Sequence, residues 1–335
     1  MDTSRKPGPV RIQDVAAKAG ISAITVSRVL HQPAQVAAGT RARVHAAIEA
    51  LGYIPDLAAS ALASRRSGIV GVLVPTIANS VFSETVAGLS DALADTGLQT
   101  LLGDYGYSAD REAALLRAML GRRAEAIVAV GLIRDPALRR MLRASGVPVV
   151  ETWDLADDPI DLMVGFSNEA AGAAMGHHLL VRHYRQIAFV GGVDERAAAR
   201  FAGLRRVIAP VHGATLTRLD RSGDLSIEAG RAGLAALLDR PHRLDAVFFA
   251  SDVLAAGGLL EAAARGLSVP RQIAIAGLGD LEIGRALSPP LTTLRIHAHE
   301  MGRRAGEMLT RRLAGEAVPG AAVDVGFELV VRGST

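Results

Sequence analysis

From residue 69 onward, the sequence alternates between short, unbroken apolar runs and longer runs rich in Ala and Leu. A strand that is buried on both faces reads as a continuous apolar run, and helices between such strands cover both faces of a parallel sheet. Eight runs of this kind lie at residues 69–74, 99–102, 126–130, 147–151, 162–164, 187–190, 246–249 and 273–276. The pattern predicts an α/β body of about 260 residues, built as one large sheet or as two adjacent doubly wound lobes.

The first 66 residues have a different character. Residues 12–51 contain no β-rich run, and Gly20 and the segment around Pro33 divide them into three short helices. This part carries nine Lys and Arg against four Asp and Glu, a net charge of +5, whereas the whole chain carries +3 and the remainder therefore −2. A basic first fifth joined to a near-neutral body indicates a polyanionic partner at one end.

The composition excludes several classes of protein. The chain has no cysteine, and therefore neither a disulfide, a thiolate metal site nor a cysteine nucleophile. No run approaches the ~20 apolar residues that span a bilayer, and the N-terminus lacks the apolar core of a signal peptide. We therefore expect a cytoplasmic protein with no membrane contact.

Motifs of catalysis are missing as well. The glycine-rich segment 277–284 lacks the spacing of a dinucleotide-binding fingerprint, and no G-x-S-x-G elbow occurs. Surface or cap positions explain the clustered histidines better than a metal does, because neither group has a carboxylate at ligand spacing. These histidines are His177, His178, His183, His297 and His299. We expect no enzymatic activity, no cofactor and no metal.

Residues 12–30 have the spacing of a helix-turn-helix unit. Gly20 can adopt the left-handed conformation that the tight turn needs, and Ser22 is placed to cap the second helix. The expected packing faces are Val15, Ala16 and Ala19 in the first helix and Ile21, Val26 and Val29 in the second. The outward side chains are then Ala23, Ile24, Thr25, Ser27 and Arg28. Such a helix would present its N-terminal end to the major groove of DNA, with an ordinary αα-hairpin as the alternative.

Longer motifs carry a family resemblance. DVAAKAGIS, TVSRVL, VAAGTRARVHAAIEALGYIP, ALAS, IVGVLVP, DAVFFASDVLAAGGLLEAAARGLSVP and PPLTTL together extend over essentially the whole chain. They resemble the lactose/galactose-repressor (LacI/GalR) family. Within that family, NSVFSETVAGL, YGYS, PVVETWD, VGFSNEAA and GGVDER are similar to the gluconate-utilisation repressors.

The resemblance implies a small all-α helix-turn-helix headpiece and an α/β sensor like a periplasmic binding protein, with two doubly wound parallel-sheet lobes. The expected boundaries are headpiece 1–55, hinge helix or linker 56–67 and effector-binding domain 68–335, with lobe 1 at about 68–166 plus 298–325 and lobe 2 at about 167–297 plus the C-terminus. Ligands of such folds lie at the carboxyl ends of the strands, between the lobes.

The resemblance also assigns DNA contacts. It implies base contacts from Ala23, Ile24 and Arg28, and phosphate contacts from Ser22, Thr25, Ser27, His31 and Thr40. Arg28 can bond a guanine edge through two hydrogen bonds, whereas Ala23 and Ile24 offer apolar contact, for example to a thymine methyl group. For His31, an ordinary surface position at the helix end is an equal alternative.

In the hinge, Leu62 matches the leucine that wedges between base steps in the minor groove, and Ala59 would face its symmetry mate. Two positions depart from the family pattern. Asp56 stands where asparagine is usual, which weakens attraction to phosphates but still suits a helix N-cap. Ala37 replaces the usual Ser or Thr cap of the third helix.

Effector contacts are implied on the loops that follow the strands: Ile77, Asn79, Phe82, Glu151, Asp154, Ser167, Asn168, Asp194, Glu195, Arg196, Arg200, Leu225, Ser251, Asp252 and Asp280. Arg196 and Arg200 suit a carboxylate because each guanidinium offers a planar fork of donors. Acids and amides suit the hydroxyls of a polyol. The alternative is an exposed helix face on which the two arginines pair with Glu195.

Two positions in these loops also depart from the family pattern. Ser167 stands where Asp is usual, and Gly279 stands where many members have a ligand-binding acid, which weakens the assignments of Ser167 and Asp280.

These features predict a repressor that binds a palindromic operator as a homodimer, because paired half-sites double the contacts of one headpiece. The helix at 83–94 is the expected dimer interface. The expected effector is a sugar acid of the gluconate, ketogluconate or phosphogluconate class, with the member and the sign of its effect left open. The alternative function is a sugar-binding module without DNA-regulatory activity.

Overall fold

A computed structural model of the chain describes four segments, residues 10–54, 67–77, 80–221 and 226–335, without the side chains of His31 and Ser80. The chain divides into two compact units, Met1–Ser67 and Gly68–Thr335. Five predicted site residues lie outside the described residues: Asp56, Ala59, Leu62, Asn79 and Leu225. Of the helices in the described segments, none combines the length and apolarity that a bilayer crossing needs.

The first unit is helical. Its elements are α1 (Ile12–Ala19), α2 (Ala23–His31), a 3-10 turn (Pro33–Gln35) and α3 (Ala38–Leu51). Gly20 ends α1 in the left-handed conformation, with φ 66° and ψ 39°, and so allows the abrupt turn into α2. Val15, Val26 and Val44 are fully buried where the three helices meet. The α3 N-cap is Ala37, which makes no side-chain capping bond.

The second unit alternates strands and helices. Its first part comprises β1 (Ile69–Val74), α4 (Ser80–Leu93), β2 (Gln99–Asp104), α5 (Ala109–Gly121), β3 (Ala126–Val130), α6 (Pro136–Ser145), β4 (Val149–Thr152) and β5 (Leu162–Gly165). It continues with α7 (Asn168–Val181), β6 (Gln186–Gly191), α8 (Glu195–Ile208), β7 (Thr215–Asp220), α9 (Ile227–Leu238), β8 (Ala246–Phe249) and α10 (Asp252–Ala264). The last elements are β9 (Ala274–Gly279), α11 (Glu282–Ala286), β10 (Thr292–Ile296), α12 (Ala298–Leu313), β11 (Ala322–Asp324) and β12 (Phe327–Val330).

The strands form two sheets, and the eight predicted strands all lie in them. The sheet of lobe 1 has the order β11-β5-β4-β3-β1-β2 and is parallel throughout, while that of lobe 2 has the order β12-β10-β9-β8-β6-β7, with β12 antiparallel to β10. Two doubly wound lobes are therefore present, and the prediction of fold class is confirmed. After β10 the chain returns to lobe 1, where α12 packs on α4, before β12 completes the sheet of lobe 2.

Helices α7 and α8 approach each other through glycines. A Cβ on Gly172 would lie 1.9 Å from the carbonyl oxygen of Arg200, and one on Gly203 would lie 1.9 Å from that of Glu169. No larger residue fits at either contact. This close packing sets the position of α8, and with it the side chains that α8 carries.

Candidate functional site

Helix α2 carries an exposed apolar and basic surface. Ile24 is 72% exposed, Arg28 is exposed and Ala23 is half-buried. The Ser22 hydroxyl caps the helix by accepting a hydrogen bond from the backbone N–H of Thr25 at 3.2 Å, as predicted. A rigid helix with an exposed isoleucine one turn before an exposed arginine has the chemistry that reads base edges in a major groove.

The polar residues around α2 have different surroundings. Ser27 and Thr40 are half-buried, and the His31 side chain lies outside the described residues. Arg41, which the sequence analysis did not single out, donates through Nη1 to the carbonyl oxygens of Pro33 at 3.0 Å and Val36 at 2.9 Å. Arg41 therefore holds the connection between α2 and α3 in shape.

In the second unit, Arg196 and Arg200 lie one turn apart at the start of α8. Asp194 caps this helix by accepting hydrogen bonds from the backbone N–H groups of Arg196 at 3.1 Å and Ala197 at 3.2 Å. Arg200 is 6% exposed and donates to Oδ1 of Asn168 at 2.6 Å, while Nε of Arg196 lies 3.6 Å from Oδ1 of Asp194. The alternative of an exposed helix face is therefore wrong.

Burial and mutual charge shift the pKa values in this cluster. Burial lowers the pKa of Arg200 to about 10, against the attraction of Asp194. Burial alone would raise the pKa of Asp194, but Arg196 and Arg200 hold it below its usual value. At neutral pH these side chains are charged, so a carboxylate and two guanidiniums face each other in a poorly solvated place.

Three buried side-chain polar atoms of the described residues have no hydrogen-bond partner. They are all guanidinium nitrogens: Nη1 of Arg196, Nε of Arg200 and Nε of Arg221. A buried donor without an acceptor costs about 1–3 kcal/mol. Two of these donors, on Arg196 and Arg200, lie one turn apart on α8 and suit a ligand that accepts hydrogen bonds. Arg221 was missed by the sequence analysis, because the half-exposed strand before it contains no unbroken apolar run.

Lobe 1 supplies an aromatic wall opposite α8. The guanidinium carbon of Arg196 lies 5.2 Å from the centre of the Phe82 ring, within the range of a cation–π contact. Phe82 meets Trp153 edge to face at 5.0 Å, and the indole N–H of Trp153 donates to the Thr85 hydroxyl at 2.9 Å. The Trp153 carbonyl accepts from Nδ2 of Asn168 at 2.9 Å, so Asn168 connects this wall to Arg200.

Two tyrosines after β2 complete this side of the cleft. Tyr105 and Tyr107 meet edge to face at 6.4 Å, and burial raises the pKa of Tyr105 while Arg196 opposes the rise. A Cβ on Gly131 would lie 3.8 Å from Nη1 of Arg196 and 4.0 Å from the Tyr105 hydroxyl, so both polar groups face this glycine. The YGYS motif at the carboxyl end of a predicted strand was the signal that would have found them.

The rim of the cleft is exposed and charged. Nε of Arg134 from lobe 1 lies 2.5 Å from Oε2 of Glu195 from lobe 2, and its Nη2 lies 3.9 Å from Oδ2 of Asp154. Ile77 is 66% exposed, and its backbone N–H donates to Asp104 at 3.1 Å. Glu195 thus pairs across the lobes rather than with the arginines of its own helix.

Glu151 and two serines have internal partners. The two carboxylate oxygens of Glu151 accept from the backbone N–H groups of Ile133 at 2.9 Å and Ile160 at 2.8 Å. The Ser167 and Ser251 hydroxyls cap α7 and α10. The structure does not bring Glu151 into contact with the arginine pair.

Asp252 and Asp280 also bind within lobe 2. Asp252 accepts from the Thr293 hydroxyl at 2.6 Å and from the backbone N–H that precedes α11 at 2.7 Å. Asp280 accepts from Nε of Arg295 at 2.8 Å and Nη2 of Arg332 at 2.5 Å. Burial raises the pKa of Asp252 to about 6. Among the described residues, no three His, Asp or Glu side chains converge as metal ligands.

Comparison with known families gives two matches. Residues 11–56 match the bacterial regulatory proteins of the lacI family, and residues 177–335 match the periplasmic binding protein-like domain. The first match contains α1 to α3, and the second contains α8 with its arginine pair.

Similar proteins extend over the full chain. The HTH-type transcriptional regulator GntR of Pseudomonas aeruginosa is 39% identical over 99% of this chain and 97% of its own length, and that of Escherichia coli K12 is 34% identical over 98% and 99%. A solved LacI-family regulator from Silicibacter pomeroyi has a TM-score of 0.91 at 36% identity, covering 97% of this chain and 99% of that one. The lac repressor dimer bound to operator and the anti-inducer ONPF has a TM-score of 0.83 at 27% identity, covering 97% and 99%. This chain belongs to the lacI family of bacterial regulatory proteins and is a DNA-binding transcriptional repressor.

Proposed function

We propose that this repressor binds a palindromic operator as a homodimer and that a sugar acid of the gluconate class, bound between the lobes, weakens that binding. The observation that carries the proposal is the pair Arg196 and Arg200, which is largely buried and keeps donors without partners at Nη1 and Nε. A carboxylate is the ligand group whose two oxygens suit guanidinium donors.

The DNA contacts in this proposal come from α2. Arg28 donates to a guanine edge, and Ala23 and Ile24 contact thymine methyl groups. Phosphate contacts set the register without reading sequence. They are assigned to Ser22, Thr25, Ser27, His31 and Thr40.

The dimer interface in this proposal is the free face of α4 with the adjacent edge strand β2. Ala87 and Ser90 are exposed on the side of α4 that does not pack on α12, and small residues allow close approach of a second helix. On β2, Leu101 and Leu102 are 37% and 45% exposed. Apolar side chains on an unpaired edge strand favour a partner that covers them.

The ligand's hydroxyls are assigned to the polar groups around the arginines. Asn168, Asp194 and Asp154 provide amide and carboxylate groups beside Arg200, and the aromatic wall of Phe82 covers the apolar side. The resemblance to gluconate-utilisation repressors and the identity to the GntR regulators support a sugar acid over a neutral sugar. The cleft then has a binding role and no catalytic one, and the protein acts where the chromosome is, in the cytoplasm.

A ligand changes DNA affinity only through its different affinities for two arrangements of the lobes. Arg196 of lobe 2 lies over Phe82 of lobe 1, so an acid that binds Arg196 changes a contact between the lobes. A coupling of ~1–3 kcal/mol lowers operator affinity roughly 5- to 150-fold.

Calorimetric titration of the full chain tests the ligand assignment. The ligands are gluconate, 2-ketogluconate and 6-phosphogluconate, with glucose as the neutral control. At least one acid is expected to bind and glucose to fail. Arg200→Ala should lose roughly 100-fold in affinity because a charge-assisted bond disappears, and Arg205→Ala, an exposed arginine on the same helix, should bind as the parent does. Equal binding of glucose, or full binding by Arg200→Ala, contradicts the assignment.

The alternative of a sugar-binding module without DNA-regulatory activity makes a separate prediction. Such a protein would bind the acid but would not shift random-sequence DNA fragments in a gel-shift assay. The exposed Ile24 and Arg28 on a capped helix favour the repressor.

A further inference from the structure

Arg221 lies at the carboxyl end of β7, the edge strand of the lobe 2 sheet. Its backbone N–H donates to the carbonyl oxygen of Gly191 at 2.8 Å, and Gly191 is the last residue of β6. The loop after β6 leads to Asp194 and then to the arginine pair on α8. Arg221 therefore follows the strand next to β6, which lies about 4.8 Å closer to the edge of the sheet than β6 does.

A second arginine on the same strand shows what is unusual about Arg221. Nε of Arg218 donates to Oδ1 of Asp220 at 2.5 Å, and its guanidinium carbon lies 5.2 Å from the centre of the Phe201 ring. Arg218 thus has a carboxylate and an aromatic face as partners. Nε of Arg221 is buried and has no hydrogen-bond partner. The comparison indicates that the Nε donor of Arg221 is free to bind an acceptor that a ligand supplies.

One carboxylate does not satisfy all three arginines. Its two oxygens suit the free donors of Arg196 and Arg200, which lie one turn apart on one helix. Arg221 follows a different strand, β7, and Asp194, which lies beside the pair, already accepts hydrogen bonds from the start of α8. A ligand with a single acidic group offers the Arg221 donor at most a neutral hydroxyl, whereas a second anionic group forms a charge-assisted bond that is roughly twice as strong.

We propose that Arg221 determines effector specificity by binding a second anionic group, a phosphate or a second carboxylate, at the end of the sugar acid opposite the carboxylate bound by Arg196 and Arg200. A guanidinium suits either anion because its planar fork matches their oxygens. This inference rests on the proposed function and narrows it to ligands with two acidic groups.

Calorimetry on the full chain tests the inference with gluconate, 6-phosphogluconate and glucarate. The parent protein is expected to bind at least one of the two doubly acidic ligands roughly 10- to 100-fold more tightly than gluconate, since a charge-assisted hydrogen bond is gained. The preferred ligand identifies the second group as phosphate or carboxylate. Arg221→Gln should reduce the preference to less than about threefold and leave gluconate affinity unchanged.

Two variants keep the test specific. Arg218→Gln removes the same charge from the same strand and should retain the full preference. Arg221→Lys keeps the charge and should retain part of it, and it replaces Arg221→Gln if that variant melts early. Equal affinity for all three ligands in the parent protein, or an undiminished preference in Arg221→Gln, overturns the inference while the proposed function stands. If none of the three acids binds, the proposed function fails and the inference with it.

Discussion

The headpiece and the lobed unit display their functional side chains in opposite ways. On α2, Ile24 and Arg28 are exposed, as their proposed base contacts require, because a side chain that reads base edges must reach into a groove from a rigid support. In the cleft, Arg196 and Arg200 are largely buried, which suits the anion proposed to bind them, because charges that have already lost their water hold a small anion most strongly. The difference teaches that changes in packing damage the effector site first, whereas the DNA-reading surface responds mainly to changes in its own side chains.

The strongest way to break this comparison is to enlarge one glycine in each unit. Gly172→Val places a branched side chain against the carbonyl oxygen of Arg200, only 1.9 Å from the position of a Cβ. We expect the free energy of unfolding of the lobed unit to fall by about 3 kcal/mol, with loss of sugar-acid binding. Urea denaturation followed by circular dichroism measures the effect.

The matched headpiece change is Gly39→Ala. A Cβ on Gly39 meets no atom within 4 Å, so this variant should be neutral or up to about 1 kcal/mol more stable. If Gly172→Val unfolds as the parent protein does, the glycine contact does not position α8.

The second test acts on the exposed surface. Arg28→Ala should weaken specific operator binding by ~1–3 kcal/mol and leave binding to random DNA nearly unchanged, because a base contact is lost. The operator is obtained by selecting random-sequence DNA with the protein itself. Arg43→Ala on α3 removes the same charge from an exposed position and serves as the control. Equal losses on specific and random DNA would show that Arg28 contacts phosphate only.

The third test uses a buried acid of the lobed unit. Because burial raises the pKa of Asp252 to about 6, the native state keeps a proton that the unfolded chain releases near pH 4. The resulting stability is full below pH 4 and is lost as the pH rises through 6. The free energy of unfolding of the parent protein, taken relative to that of Asp252→Asn, should therefore fall by about 2 kcal/mol between pH 4.5 and 7.5.

Urea denaturation at the two pH values measures this difference. A flat difference between Asp252→Asn and the parent protein over this pH range would refute the role of burial.

The smallest expected effect concerns the ion pair across the lobes. Arg134 and Glu195 lie 2.5 Å apart, with side chains 52% and 64% exposed, and exposed pairs contribute about 0.2–1 kcal/mol. Arg134→Ala and Glu195→Gln, alone and together, should change effector affinity less than about fivefold. The interaction energy between the two substitutions, measured by a double-mutant cycle, should vanish at high salt. A coupling above about 2 kcal/mol would instead make this pair a main determinant of lobe closure.

The two regions also differ in how far their sequence predicts them. The turn at Gly20, the Ser22 cap and the exposed face of α2 all follow from the periodicity of one short segment, which needs no information from elsewhere in the chain. In the lobes, central strands such as β3 were predicted because both of their faces are buried. The edge strand β7 was missed, since its half-exposed, polar-alternating residues lack an unbroken apolar run.

The cleft residues were only partly predictable for a related reason. The YGYS motif marks Tyr105, but the position proposed for Arg221 depends on strand order, which places β7 beside β6, and no local pattern shows that order. Conversely, Asp280 follows a strand end, as a ligand contact should, but its carboxylate binds Arg295 and Arg332 from distant parts of the chain. Its role as an effector contact stays a prediction.

Fluorescence anisotropy of labelled operator bound to the full chain, titrated with gluconate and 6-phosphogluconate, tests the central claim most directly. For the parent protein and for Arg205→Ala, at least one acid should lower operator affinity roughly 5- to 150-fold. Arg200→Ala should bind operator with unchanged affinity and show no response to either acid. A full response in Arg200→Ala, or no release of operator from the parent protein by any sugar acid, would contradict the account.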